Sequence, residues 1–248
     1  MNNGIYSLNK ASIIKRLAAW LLDAIVVVII AVGFMLLTSV VIGYDKQITK
    51  LNEYYEKYDL YVEDEDGNRD FCTLNPNNEL DPCHVGWRQF GEDKDAVAPY
   101  EKVNTYSVII LSSGVVFGVM ITYCILPLIF KNGKTLGKKI FSIALITDDE
   151  IRVTPRCIFI RSLFGNFLVI TMIPILLIFT GMTSGGGLLY TLGALAIIIG
   201  NIGSVIFTKN HQNIPDLIAK TIPVDATCQI IVDTKEELSE LKYQNNKN

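Results

Sequence analysis

Between Leu17 and Ile42 the chain carries a single charge, Asp23. An apolar run of that length is enough to cross a hydrocarbon layer roughly 30 Å thick at about 1.5 Å per residue. A carboxylate inside it costs on the order of 3 kcal/mol near mid-membrane and less towards the edge. Asp23 therefore reads as part of a polar cluster between helices, or else as an interfacial carboxylate solvated by water and lipid amines. Three more apolar stretches follow, Val103–Phe130, Ser162–Phe179 and Leu188–Phe207, none with a charged residue. Only 19 % of residues are charged and the mean hydropathy is +0.34, which argues against an ordinary soluble domain. Four spans are expected, with Gly181–Gly187 as a very short turn between the third and fourth. The first run is too long for a cleaved signal peptide and holds Asp23, so it is expected to stay as a helix.

Lys and Arg set the expected orientation. Lys10, Lys15 and Arg16 precede the first span. Between the second and third lie Lys131, Lys134, Lys138, Lys139, Arg152, Arg156 and Arg161, against three acids. The first connection, Gly43 to Lys102, has seven basic and fifteen acidic residues. Lys/Arg-rich loops stay inside and long acidic loops can be translocated, so both termini are expected in the cytoplasm and the protein in the cell membrane. The expected fold is an all-α membrane protein. Its four-helix transmembrane bundle carries a small extracytoplasmic insertion, a β-hairpin or α/β element, and a short cytoplasmic β-hairpin. Four regions follow from that reading: 1–42, the N-terminal segment and first helix; 43–102, the acidic insertion; 103–225, three further helices; and 226–248, a cytoplasmic tail.

In the insertion, Tyr58–Glu63 and Arg69–Leu74 flank Asp66-Gly67, the pattern of a hairpin. Cys72 and Cys83 are the only cysteines there. In an oxidising exterior they can close a small loop worth roughly 3 kcal/mol; two free thiols are the other reading. Asp64, Asp66, Gly67, Asn68 and Asp70 resemble part of a calcium loop but lack its distal Glu, and a solvated tip accounts for them. Cys72, Asp81, Cys83 and His84 match no standard zinc spacing. No metal or cofactor is expected.

On the inner side, Gly133 and Gly137 enclose three residues rather than the four of a P-loop, and Lys139 rather than Ser or Thr follows Lys138. No phosphate site follows. Ile140–Thr147 and Ile151–Thr154, joined by Asp148-Asp-Glu150, read as a hairpin under the membrane, with a basic lead-in suited to anionic head groups. Within the spans, Gly114 and Gly118 form a GxxxG, extended by Thr122, and Ala196, Gly200 and Ser204 repeat the step. Small residues on one face let helices approach, here within the bundle. Pro127 and Pro174 are expected to kink their spans, and Asn166 and Asn201 to bond neighbouring helices.

Arg16 and Asp23 share a helix face but lie roughly 10 Å apart along it. The Arg side chain leans towards the N-terminus, away from Asp23. Each needs another partner. Arg161 lies at the depth of Asp23, and Asp216 is the best acid for Arg16. These residues carry a resemblance. Lys15-Arg16-Leu-Ala-Ala-Trp-Leu-Leu-Asp23, Gly133-Lys-Thr-Leu-Gly-Lys-Lys139, Arg161 and Pro215-Asp216-Leu-Ile-Ala-Lys-Thr221 together resemble the RDD family of small multipass membrane proteins. Arg16, Asp23 and Asp216 would be its eponymous residues. Pro215 and Lys220 stand where the family usually has His and Gly. The resemblance implies ion transport, including sodium–proton exchange, for some members and an accessory or quality-control role for others. No nucleophile–base constellation is present and His84 and His211 fall on opposite sides, so an enzyme is not expected. The expected partners are the lipid bilayer and either a second copy or another membrane protein, not nucleic acid.

Overall fold

The computed structural model describes residues 7–63, 69–72, 81–130, 133–182 and 187–247. The first helix, α1, runs Ile13–Ile42, and α2 Tyr44–Lys57; strands β1 Tyr61–Glu63 and β2 Arg69–Phe71 follow. Then come α3 Pro82–Glu92 and α4 Lys94–Met120, which passes through a π-helical turn, Ile121–Ile125, into α5 Leu126–Ile129. A short α6, Leu136–Ile140, leads to β3 Ile143–Thr147. The third long helix is built from α7 Pro155–Ile160, a second π segment Arg161–Phe167 and α8 Leu168–Met182. Helix α9 spans Gly187–Phe207, and α10 Ile214–Ile218, β4 Thr221–Asp225 and α11 Lys235–Lys247 complete the chain. Among the described residues four helices are long and apolar enough to cross a membrane: Ile13–Ile42, Lys94–Ile129, Pro155–Thr180 and Gly187–Phe207. Their large apolar side chains face outward, as at Ile14, Val40, Val41 and Phe207. That pattern is costly in water and favourable against lipid chains. The protein is a multipass membrane protein.

The chain divides into two compact units, Met1–Gly33 with Gly114–Asn248, and Phe34–Ser113. In the second, Gly43 adopts φ 68°, where a side chain would be strained, and so lets α2 leave α1 after one residue. Leu51 and Tyr55, four residues apart on α2, bury themselves with Leu60, Phe90 and Ala96. Tyr55 meets Phe71 and Tyr61 edge-on at 5.1 and 5.9 Å. Strands β1 and β2 pair antiparallel, Tyr61 opposite Phe71. The tip expected to turn at Asp66-Gly67, with its calcium-like acids, lies outside the described residues, as does most of the Gly181–Gly187 turn. Cys72 and Cys83 are disulfide-bonded, which removes both from any zinc ligand set. Helices α2 and α3 fill much of a segment that strand patterning alone did not reveal.

Asp93 closes this unit. Tyr58 Oη donates to it at 2.5 Å and Lys57 Nζ lies 3.2 Å away. The Tyr58 bond above all, with the Asp95 amide and Lys57, holds the Asp93 carboxyl down at about 2. A carboxylate held below its unfolded value of roughly 3.9 adds stability above that pH and loses it as the pH falls towards 2. In a Trp20→Phe background, followed by Trp87 fluorescence, wild-type protein is expected to unfold at a higher temperature than Asp93→Asn at pH 5. The two should converge by pH 2. A gap that stays constant with pH would contradict the assignment.

In the first unit, β3 pairs antiparallel with β4, Ile143 opposite Asp225 and Thr147 opposite Thr221. This corrects the expected hairpin of Ile140–Thr147 with Ile151–Thr154, of which one bridge, Ile146 to Arg152, remains. The reason lies in burial and proline. Pro155 starts α7 immediately after Thr154, and Val153 turns into a small core with Leu145 and Ile158. Strand β4 instead offers Ile222 and Val224, which bury against Ala144 and Ile146. The N-terminal segment lies along the other edge of β4, with the Ala11 amide donating to Pro223. Helix α11 is tied on by Lys235 to Asp149 at 3.0 Å and Lys242 to Glu150 at 2.7 Å.

Close approach of the long helices in this unit rests on glycines. A Cβ on Gly118 would lie 2.8 Å from the Val27 carbonyl oxygen of α1. One on Gly165 would lie 2.7 Å from Pro215. Gly114 is also buried, whereas Ala196 and Gly200 are exposed and Ser204 donates back to Asn201 within α9. The buried position of α9 is Ala194. Proline lacks an N–H and crowds the carbonyl four residues back. For Pro127 that is Tyr123, inside the first π turn, whose wider register takes up the misfit. Pro174 sits within α8.

Candidate functional site

Asp23 lies about 15 Å along α1 from Ile13 at 1.5 Å per residue and is 2 % exposed. Its partners are neutral. Thr135 Oγ1 donates to Oδ2 at 2.5 Å and the Gly137 amide to Oδ1 at 2.8 Å. Both come from the start of α6. Thr135 is the N-cap of that helix, its hydroxyl also accepting from the Lys138 amide at 3.4 Å. One hydroxyl thus caps α6 and holds the carboxylate of α1. Gly137 is required there: a Cβ would strike the Ala19 carbonyl of α1 and lie 3.0 Å from Asp23 Oδ1.

Asp216 gathers the cations. Arg161 Nε and Nη2 both donate to its Oδ1, at 2.8 and 2.6 Å. Arg16 Nη2 lies 3.6 Å from Oδ2, and Arg16 Nη1 donates to the His211 carbonyl. The expected pairing is half realised. Arg16 does meet Asp216, but Arg161 goes to Asp216 rather than to Asp23. Fork-shaped guanidinium groups can share one carboxylate, which the matching of one acid to one base overlooked. Asn213 positions Asp216, its Oδ1 accepting the Asp216 amide at 2.9 Å as N-cap of α10. Burial alone would raise the Asp216 carboxyl, and Arg161, Lys138 and Arg16 hold it below the usual carboxylate range.

Lys138, half-buried in α6, is the fifth charge. It interacts electrostatically with Arg161, Asp216, Asp23 and Arg16, but no carboxylate lies within ion-pair distance of it among the described residues. The spans also bury polar groups. Thr122 Oγ1, Asn166 Nδ2 and Thr171 Oγ1 are buried with no hydrogen-bond partner among the described residues. Asn201 Oδ1, by contrast, accepts from the Ile214 amide at 3.2 Å. Arg161 and Asn166 both sit in the second π segment, a local widening that recurs at functional sites. Cys124, in the first π turn, donates to the Ser162 carbonyl at 3.3 Å, so the two widened turns pack together. Among the described residues no group of His, Cys, Asp and Glu is arranged to hold a metal ion.

The sequence did not place Thr135, Gly137, Lys138 or Asn213 in the charged cluster. The signal was present, since the Gly133–Lys139 stretch carries the resemblance. Its Thr and Gly serve a carboxylate rather than a phosphate.

A family model described as the RDD family matches residues 10–220. No curated protein and no solved structure matches the chain. The matched range contains every residue of the charged cluster.

Proposed function

The chain belongs to the RDD family, and from that premise we propose that it exchanges a monovalent cation for protons across the cell membrane at Asp23. One observation carries the reading. Asp216 is neutralised by two arginines, but Asp23, equally buried, is held only by a hydroxyl and an amide. A carboxylate with a fixed cation is structural; one held by neutral donors leaves its counter-charge free to be exchanged. The unpartnered Thr122 and Thr171 hydroxyls supply further oxygen atoms within the apolar spans. The reading is of a transporter and not an enzyme. Purified protein in sealed vesicles, with a pH-sensitive dye inside, tests it. An inward sodium gradient should alkalinise the lumen whichever way the protein is inserted, because each sodium that enters exchanges for a proton that leaves, and protein-free vesicles should show no such change. No response to sodium, lithium or potassium would count against the proposal.

A second reading is favoured by the disulfide-closed unit around Tyr55. Residues 34–113 have their own aromatic core, more than a linker needs. In an accessory protein this unit would bind a partner membrane protein or a second copy.

Both readings place the termini in the cytoplasm and residues 43–102 outside, on the Lys/Arg asymmetry. Single cysteines at Asn3, Asn78 and Asn246, in protein without the native cysteines, should react with an impermeant reagent from outside only at position 78. Labelling at either terminus would reverse the orientation.

A further inference from the structure

The cluster has one positive charge too many. Arg16, Arg161 and Lys138 face Asp23 and Asp216, and all five lie close enough to interact. The arginines remain charged throughout the accessible pH range. If Asp23 took up a proton, three cations would face a single carboxylate, which makes the imbalance worse. If Lys138 lost one, two arginines would balance two carboxylates. The contacts agree with this arithmetic. Arg161 and Arg16 occupy Asp216, Thr135 and Gly137 occupy Asp23, and the Lys138 amine has neither carboxylate at ion-pair distance. Lys138 and Arg16 are partly exposed, whereas Asp23, Arg161 and Asp216 are buried, and of the two partly exposed members Lys138 is the one whose side chain can lose a proton.

We propose that Lys138 is the proton-carrying side chain of this site, and that its proton and a monovalent cation at Asp23 exclude one another. The groups facing it are Arg16 and Asp23 from α1, Arg161 from the π segment after α7, and Asp216 from α10. Entry of one cation beside Asp23 while Lys138 is charged would leave two surplus positive charges in a buried site. Release of the Lys138 proton to the adjoining water restores the surplus to one. The exchange is then one cation for one proton, with no other group changing charge. Burial, with Arg161 and Arg16 nearby and Asp216 and Asp23 opposing them, brings the Lys138 amine down to about 7. That is where a carrier working at neutral pH is needed. The Thr135 hydroxyl, which accepts the Lys138 backbone amide and donates to Asp23, fixes the start of α6 against Asp23.

This inference rests on the exchange reading, and its test separates the two. The full-length protein in lipid nanodiscs is reductively methylated with 13C-formaldehyde, which leaves the lysine amines basic, and titrated by NMR in choline buffer and in sodium. The Lys138 resonance is identified as the lysine signal missing from both Lys138→Arg and Lys138→Gln. It should titrate with a midpoint near 7 in choline and at least half a pH unit lower in saturating sodium. If every lysine resonance titrates near 10, or if sodium leaves the Lys138 midpoint unmoved, the inference is overturned. Should neither variant fold, the wild-type titration still decides, because a lysine signal near 7 that responds to sodium is required. In vesicles, Lys138→Gln should lose sodium-driven proton movement, since no other group of the site gives up a proton. A sodium-sensitive midpoint near 7 in protein whose vesicles move no protons would support Lys138 as carrier and count against transport itself.

Discussion

Asp216→Asn is expected to destabilise the bundle by about 3–5 kcal/mol, because it leaves Arg161 charged, buried and without its carboxylate and takes the same carboxylate from the partly exposed Arg16. Both Arg161 donors converge on one carboxylate oxygen and the residue is 2 % exposed, so water cannot replace the lost acceptor. For a unit of this size the loss corresponds to a fall on the order of 10 °C in unfolding temperature. The charge origin of the effect is checked by the double variant Arg161→Met, Asp216→Asn, which should recover at least half of it. Replacing a buried pair with apolar groups is often near neutral. The readout is thermal unfolding of detergent-solubilised protein followed by size-exclusion chromatography. A single variant as stable as wild type would show that the pair is not the fixed element of the site.

Asp23→Asn should behave in the opposite way: little loss of fold and a large loss of function. An amide oxygen can still accept from Gly137, and the amide has the same shape as the carboxylate. What disappears is the charge. A cation about 4 Å from a carboxylate gains about 4 kcal/mol at an effective dielectric of about 20, so cation-dependent exchange should fall about 10³-fold. Loss of accumulation with retained exchange per folded molecule would instead assign Asp23 to structure.

The spans were legible because the absence of charge over a bilayer's thickness is a local property of sequence. Arg16, Asp23, Arg161 and Asp216 stood out for the same local reason, since a charge in or beside an apolar run is costly. The pairings did not. They depend on side-chain shape and on α6, a helix of five residues too short to leave a periodicity. Once Thr135 and Gly137 occupy Asp23, Arg161 is free to turn to Asp216. The partner of β3 was hidden for a related reason. Four of its residues in succession are buried, which specifies cover on both faces but not which strand lies alongside. In the insertion, Leu51 and Tyr55 do carry a helical spacing, but in a segment dense with tyrosines and acids the strand-like hairpin pattern stood out more strongly.

The central claim is that Asp23 is held by neutral donors so that its counter-charge can exchange. Sodium-driven proton movement measured in parallel vesicles of wild-type and Asp23→Asn protein, matched for inserted, folded molecules, tests it most directly. The wild type should show a proton flux that rises and saturates with sodium, and the variant a flux indistinguishable from that of empty vesicles. Equal fluxes from both would contradict it.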